Sequence, residues 1–224
     1  MNPEFRRQLW LHFSPTRVAV LPILLLSCFT AVFLSAKSNP AQALSLAGSV
    51  LFFALTLGLG TFAAGASVMD EITDRTWDQQ RMSAMQPWAM TWGKLAGATA
   101  YGWYGGGLCL LVAVPSALMG DLHARVLPIT LAALLAGVCL QAVVVAVNLQ
   151  LVKAGGRLAR RAALWAPVLV LLWGLGPLLG VLQGEDIQWW SQTLTKLNFT
   201  LASLALFTAC ALCEAWRSMA EVLA

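Results

Sequence analysis

Charged side chains are scarce in this chain of 224 residues, since Asp, Glu, Lys and Arg together make up only 11% of it. Soluble domains carry roughly 25% charged residues. Hydrophobic residues account for 59% of the chain, and its mean hydropathy is +0.73. A water-soluble globular domain and a disordered chain are therefore both excluded. The formal net charge of +4 is small, and we expect no nucleic acid among the partners.

Residues that could build a catalytic or metal site are also few. The only two His residues, His12 and His123, fall on opposite sides of the membrane in the topology predicted below, so they cannot share a metal ion. All five Cys lie in apolar stretches, where Cys210 and Cys213 are best interpreted as small packing residues. No charged residue lies in the middle of an apolar stretch, where proton and ion pathways usually place one. We therefore expect no enzyme, no metal site and no cofactor in this chain.

A phosphate-binding loop is absent as well. Its pattern, G-x-x-x-x-G-K-[S/T], has one candidate at Gly93 and Lys94, but Leu95 follows where Ser or Thr belongs. Trp88 stands where the first Gly belongs. Any ATP that drives this protein must therefore bind to another chain.

Six stretches without charge approach or exceed the length of about 20 apolar residues that crosses a bilayer. Only helices and closed barrels can cross lipid, and barrel strands would alternate apolar with polar residues, which these stretches do not. The sequence therefore predicts an all-α, polytopic integral membrane protein whose single transmembrane domain covers residues 1–224. Its six approximate spans are 18–36, 44–69, 92–119, 126–152, 162–182 and 197–216.

The distribution of Lys and Arg predicts the orientation. Of the 14 such residues, 11 fall in segments on the same side as both termini. Lys and Arg accumulate on the cytoplasmic side of membrane proteins. We therefore expect both termini in the cytoplasm and a bacterial cytoplasmic (inner) membrane.

Residues 1–17 are predicted to form an interfacial elbow helix on the cytoplasmic leaflet. Apolar residues recur at every fourth position and so share one helical face: Phe5, Leu9 and Phe13. Arg6 and Arg7 are expected to face lipid headgroups. A frayed basic tail is the alternative interpretation.

The segment 70–86, between spans two and three, is predicted to be one charged cytoplasmic helix. It contains no Gly or Pro before Pro87, and Glu71 and Arg75 are spaced for a pair on one helical face. Such a helix suits a docking element for a cytoplasmic partner. The residues expected to meet that partner are Glu71, Asp74, Thr76, Trp77, Asp78, Arg81 and Met82.

Six residues inside the predicted spans have two interpretations. The residues that a pathway or a hinge would use are Tyr101, Tyr104, Gly105, Gly106, Gln141 and Asn148, although packing and interhelical hydrogen bonds explain them equally simply. Pairs of Gly four residues apart predict close helix contacts: Gly93 with Gly97, Gly102 with Gly106, and Gly176 with Gly180.

On the outer side, residues 183–198 are spaced for a small amphipathic helix, with a loop or hairpin as the alternative.

From Glu71 to Lys94 the sequence resembles the permease subunits of ATP-binding cassette exporters of the type 2 family. The matching residues are Glu71, Thr76, Pro87, Gly93 and Lys94, while Met82 and Met85 stand where Leu is more usual. The resemblance implies that 70–86 is a coupling helix. It also implies two ATP-binding cassette subunits, which would bind ATP and Mg, and a second permease that is either the same chain or a paralogue.

The resemblance thus implies a permease subunit that exports an amphipathic or hydrophobic substrate with the energy of ATP, in contact with membrane lipid. The alternative is a membrane scaffold or assembly subunit that transports nothing and docks a cytoplasmic partner.

Overall fold

The computed structural model of the protein describes residues 2–73, 82, 85–119, 123–154, 165, 168–169, 187–189 and 192–223. The α-helices of these residues are α1 Pro3–His12, α2 Pro15–Ser35, α3 Pro40–Phe53, α4 Gly60–Thr73, α5 Pro87–Leu118, α6 His123–Ala154 and α7 Lys196–Leu223. A π-helical segment, Ala54–Leu59, joins α3 to α4 without a break. Two short antiparallel strands, β1 Ile187–Trp189 and β2 Gln192–Leu194, pair just before α7.

Five helical stretches of the described residues are long and apolar enough to cross a membrane. They are Pro15–Ser35, Pro40–Glu71, Pro87–Leu118, Val126–Ala154 and Lys196–Leu223. The chain is therefore a multi-pass membrane protein built mainly of helices. The span predicted at 162–182 lies outside the described residues, so the count of six remains a prediction.

Proline begins four of these helices, at Pro3, Pro15, Pro40 and Pro87. This is the first-turn position, where the N–H that proline lacks would have no helical partner.

The helix predicted over 70–86 has different bounds in the structure. Residues 70–73 are the last turn of α4, Met85 and Gln86 are not helical, and Pro87 starts α5 instead of ending a preceding helix. The middle of that predicted helix, 74–81 and 83–84, lies outside the described residues.

The strand pair replaces the amphipathic helix expected within 183–198. Gln188 lies opposite Thr193 in the ladder, and helical structure begins only at Lys196. The helix predicted there is therefore wrong for 187–189 and 192–194, which pair as strands.

The interior of the described chain contains two apolar clusters. The first joins α4, the start of α5, α6 and α7, and includes Val68, Met90, Val145, Leu149 and Met219. The second joins α2, α3, α5 and α6, and includes Leu25, Phe29, Phe52, Cys109 and Ala133. Many other apolar side chains of the same helices are exposed, such as Ile23, Leu26 and Leu111. Such faces suit a surrounding hydrocarbon phase.

Helix α1 packs against the first turns of α5 through two glycines. A Cβ at Gly93 would lie 2.7 Å from Glu4 Cβ, and a Cβ at Gly97 would lie 2.6 Å from Gln8 Cβ. Only glycine permits this approach, so the predicted close contact of Gly93 and Gly97 is confirmed. The helix that they accommodate is α1.

The face of α1 that is buried against the protein is polar. Glu4 and Gln8 are the buried residues of this helix, whereas Trp10 is 86% exposed. The elbow position of α1 at the membrane interface remains a prediction, but its attachment to the protein does not depend on the apolar face.

We predict that Gly97→Ala lowers the free energy of unfolding by about 1–3 kcal/mol, the usual cost of overpacking, because the new methyl group displaces α1. Gly107→Ala is the matched control, since a Cβ there would meet nothing within 4 Å. Thermal unfolding of both variants in the same detergent measures the difference. An equal response of the two variants would show that α1 is not packed on α5.

Candidate functional site

Four charged side chains from three helices meet at one end of the described bundle. Glu4 and Arg7 come from α1, Glu71 from the end of α4 and Lys94 from the second turn of α5. Arg7 binds both carboxylates, and Lys94 also binds both. We call these four residues the charge cluster. It joins residues that are up to 90 positions apart in the chain.

The local sequence of α1 prepares its half of the cluster. Asn2 caps the helix by accepting a hydrogen bond from the Glu4 amide at 3.0 Å, and its own side-chain amide donates to the carbonyl of Ala89 on α5. Arg7 and Gln8, three and four residues after Glu4, reach its carboxylate within one turn. The Arg7 guanidinium donates two bonds, of 3.0 and 2.9 Å, and the Gln8 amide donates one of 3.0 Å.

Three members of the cluster are buried, the fourth, Arg7, is 41% exposed, and their charges balance. The side chains of Lys94, Glu4 and Glu71 are 0%, 2% and 7% exposed. Two carboxylates and two cations leave no net charge, which is what burial of ionised groups requires. Each carboxylate has two cationic partners, and Lys94 Nζ lies 3.4 Å from Glu4 Oε1.

The neighbours of Glu4 and Arg7 favour their charged forms. Burial alone would raise the pKa of Glu4, but the bond from Arg7, the charge of Lys94 and the bond from Gln8 hold this pKa below its usual value. Burial likewise opposes the charge of Arg7, yet Glu4 and Glu71 raise the pKa of its guanidinium above the usual value. Glu4 and Arg7 are therefore held together as an ion pair.

The structure gives Arg7 and Glu71 contacts that the sequence did not predict. Arg75, the predicted helical partner of Glu71, lies outside the described residues, and the headgroup contact of Arg7 and the partner contact of Glu71 stay predictions. In the structure Arg7 binds Glu4 and Glu71, and the carboxylate of Glu71 points into the chain. Local helical spacing could not reveal a pairing across 64 residues. The usable signal was the Gly93 and Gly97 pair beside Lys94.

The other residues predicted to meet a partner are only partly placed. Met82 is 80% exposed, as a docking residue would be. Asp74, Thr76, Trp77, Asp78 and Arg81 lie outside the described residues. Glu71 and Lys94 stand on either side of this segment, and their bond draws its two ends together.

The two tyrosines singled out on α5 hold the junction between α1 and α2. Tyr101 donates a hydrogen bond of 3.3 Å to the carbonyl of Arg17, and Tyr104 donates one of 3.2 Å to that of Val18. The ring of Phe13 contacts both, at centroid distances of 5.9 and 6.0 Å. Their observed role in this arrangement is packing and hydrogen bonding.

The two glycines singled out on α5 lie against the second span, Pro40–Glu71, which consists of α3, the π segment and most of α4. A Cβ at Gly106 would lie 2.3 Å from Thr56 Cγ2, and one at Gly105 would lie 2.9 Å from a methyl group of Leu55. Both are therefore close-packing positions. The predicted contact of Gly102 is also confirmed, since a Cβ there would lie 2.7 Å from the carbonyl oxygen of Leu55. Gly176 and Gly180 lie outside the described residues.

Gln141 and Asn148 form a polar seam between α6 and the second span. Gln141 donates to the carbonyl of Thr56 at 3.0 Å and accepts from the Trp103 indole at 3.0 Å. Asn148 donates to the carbonyl of Gly65 at 3.0 Å. Both amides are buried, so they act here as interhelical bonds.

No protein-family model, no curated protein and no solved structure matches this chain.

Among the described residues no group of three or more His, Cys, Asp or Glu side chains could hold a metal ion. The arrangement that remains is mechanical: a charge cluster ties α1, α4 and α5, and polar side chains attach α5 and α6 to the second span.

We predict that Lys94→Met lowers the free energy of unfolding by about 3–5 kcal/mol, because it leaves two buried carboxylates to share the one half-exposed guanidinium of Arg7. Combining it with Glu71→Gln restores charge balance and should recover part of the loss.

The same substitution at Lys153 is the control. Lys153 bonds Glu221 at the surface, where its side chain is 38% exposed, so its loss should change stability little. Thermal unfolding in detergent compares the variants. A loss at Lys94 no larger than that at Lys153 would contradict the cluster.

Proposed function

We propose that this chain is the permease subunit of an ATP-binding cassette transporter of the type 2 family. With a second permease, either itself or a paralogue, it forms the pathway for ATP-driven export of an amphipathic or hydrophobic substrate. Two copies of a separate ATP-binding cassette subunit bind ATP and Mg and hydrolyse the ATP. The chain lies in a bacterial cytoplasmic (inner) membrane with both termini in the cytoplasm.

The observation that supports this proposal best is the charge cluster at the two ends of segment 72–93. Glu71 precedes that segment and Lys94 follows it, and Arg7 adds α1 to the same set of bonds. A partner that displaces the segment must therefore move α1, α4 and α5 together. Rigid-body movement of packed helices is the kind of motion that alternating access requires.

The sequence resemblance supports the same proposal from another direction. Its matching residues at 71, 76, 87, 93 and 94 include two members of the charge cluster, Glu71 and Lys94. In a coupling role these two residues position the segment, and the partner contacts come from the residues between them. Trp77 is the one Trp of the predicted coupling helix 70–86, and a Trp side chain buries a large apolar area in a groove.

We expect the tagged chain, purified from its native membrane in mild detergent, to carry a subunit with a phosphate-binding loop. Native mass measurement should give two permease chains and two such subunits, and the preparation should hydrolyse Mg-ATP. A chain that is active alone, with no ATPase subunit bound, would contradict the proposal.

Trp77→Ala should weaken binding of the ATPase subunit by about 2 kcal/mol, roughly thirtyfold in Kd, because aromatic anchors dominate such interfaces. Trp216→Ala is the control, since Trp216 is a 46% exposed Trp on α7, outside this segment. Co-purification and ATP hydrolysis of both variants measure the effect.

If wild type and Trp77→Ala retain the ATPase subunit equally, the proposed coupling role of the segment is contradicted. Retention of the subunit without transport in vesicles would favour the scaffold alternative.

Orientation has its own test. In a variant lacking the five native Cys, Ser38→Cys should react with an impermeant maleimide added outside, and Met82→Cys only after the membrane is opened. Ser38 lies in the turn between α2 and α3, and Met82 is exposed between α4 and α5. The reverse pattern would invert the topology.

A further inference from the structure

The second span contains one extra residue in its helical path. Between α3 and α4 the segment Ala54–Leu59 is π-helical, so the amide of Gly60 bonds to the carbonyl of Leu55, five residues back. A π turn holds one residue more than an α turn, and such turns are rare outside functional sites. In a span they must also keep every backbone group bonded, because lipid offers no partner.

The neighbouring helices are shaped to this π segment. Gly102 of α5 leaves room for the carbonyl of Leu55, and Gln141 of α6 donates to the carbonyl of Thr56. The side-chain amide of Gln141 lies where a side chain at position 60 would lie. A Cβ added to Gly60 would be 2.4 Å from Gln141 Nε2. The π segment is therefore part of the packing.

One threonine differs from the others because it follows the π segment. Seven threonines in the described helices donate their hydroxyl to the carbonyl four residues back: Thr30, Thr56, Thr91, Thr99, Thr130, Thr200 and Thr208. Thr61 is 0% exposed, and its hydroxyl has no hydrogen-bond partner among the described residues. It lies two residues after the π segment, and the carbonyl of Leu57, four residues before it, accepts a bond from the Gly60 amide instead.

A second polar atom in the same seam is also without a partner in the described chain. Asn148 bonds the carbonyl of Gly65 through its amide nitrogen, but its side-chain oxygen accepts no bond. Gly65 is four residues after Thr61 and therefore on the same side of α4. An unbonded buried polar atom costs about 1–3 kcal/mol, so a hydrogen bond to either of these two atoms would stabilise the protein.

We propose that the π segment is a register switch, which moves toward the C-terminal end of the span past Thr61. In the second arrangement residues 57–61 are α-helical, and the Thr61 hydroxyl donates to the carbonyl of Leu57, as the other threonines do. Only the residues that the π turn crosses rotate. Residues 60–67 read Gly-Thr-Phe-Ala-Ala-Gly-Ala-Ser, so nearly all of them are small enough to turn in place.

The switch does not depend on the proposed transport function, and the test uses the full chain in detergent without any partner. Thr61→Val removes a hydroxyl that is unbonded here but bonded in the second arrangement. Thr99→Val is the matched control, because Thr99 is equally buried, at 1% exposure, and bonds the carbonyl of Leu95 at 2.6 Å. Deletion of Gly58 removes the extra residue, and a Cβ at Gly58 would meet nothing within 4 Å.

We expect Thr61→Val to unfold at the wild-type temperature or higher, and Thr99→Val to unfold at a lower one. Amide hydrogen exchange of residues 57–61 should slow about fivefold in Thr61→Val, the factor that one net hydrogen bond represents. Exchange should also slow when Gly58 is deleted, and it should be unchanged in Thr99→Val.

Two results would each overturn the switch. A fall in unfolding temperature for Thr61→Val that equals that of Thr99→Val would mean that the hydroxyl is already bonded, for instance to a buried water molecule. Equal exchange of residues 57–61 in wild type, Thr61→Val and the Gly58 deletion would mean that the π segment does not move.

Discussion

The charge cluster is the interaction on which the cytoplasmic end of this bundle depends, under the predicted topology. Two carboxylates and the Lys94 ammonium are buried together beside the half-exposed Arg7, and each buried charge is tolerable there only because the opposite charges are present. Desolvation is a cost for every member, so the cluster specifies an arrangement more than it adds stability. That arrangement attaches α1, a ten-residue helix too short to be stable alone in water, to two spans. It also holds together the two ends of the segment that the proposed coupling role requires.

The second constraint is the bilayer, which leaves no water to bond backbone groups inside the spans. Four prolines stand at helix starts, although Pro22, Pro115 and Pro128 lie inside helices, and a side-chain amide from α6 bonds the π segment. The same constraint explains why polar side chains inside the bundle bond to backbone carbonyls. Gln141 and Asn148 bond carbonyls of the second span, and most buried threonines bond their own helix. Among the described residues, Thr61 and the oxygen of Asn148 stand out against this rule.

Composition and charge predicted the helical membrane class because hydrocarbon thickness dictates the length of a charge-free stretch. They did not predict which charges pair. Glu71 bonds Arg7 and Lys94, which only folding brings near. The polar face of α1 was missed for the same reason, since an i, i+4 pattern of Phe5 and Leu9 looks like a buried face until Gly93 and Gly97 are matched to Glu4 and Gln8. The π segment, Ala-Leu-Thr-Leu-Gly-Leu, has no hydrophobic period that separates it from an α-helix.

The charge cluster and the polar bonds of the π segment hold the second span at two different points. Glu71 fixes the C-terminal end of α4 through ionic bonds, and Gln141 fixes the π segment by a hydrogen bond to the carbonyl of Thr56. Thr61 lies about 15 Å from Glu71, at 1.5 Å per helical residue. A change of register in this span must therefore be absorbed between these two attachments, where the side chains are smallest. If a partner moves the charge cluster, the resulting change reaches that stretch first, so a force applied at the charge cluster acts on the π segment before it acts on the half of the span beyond it.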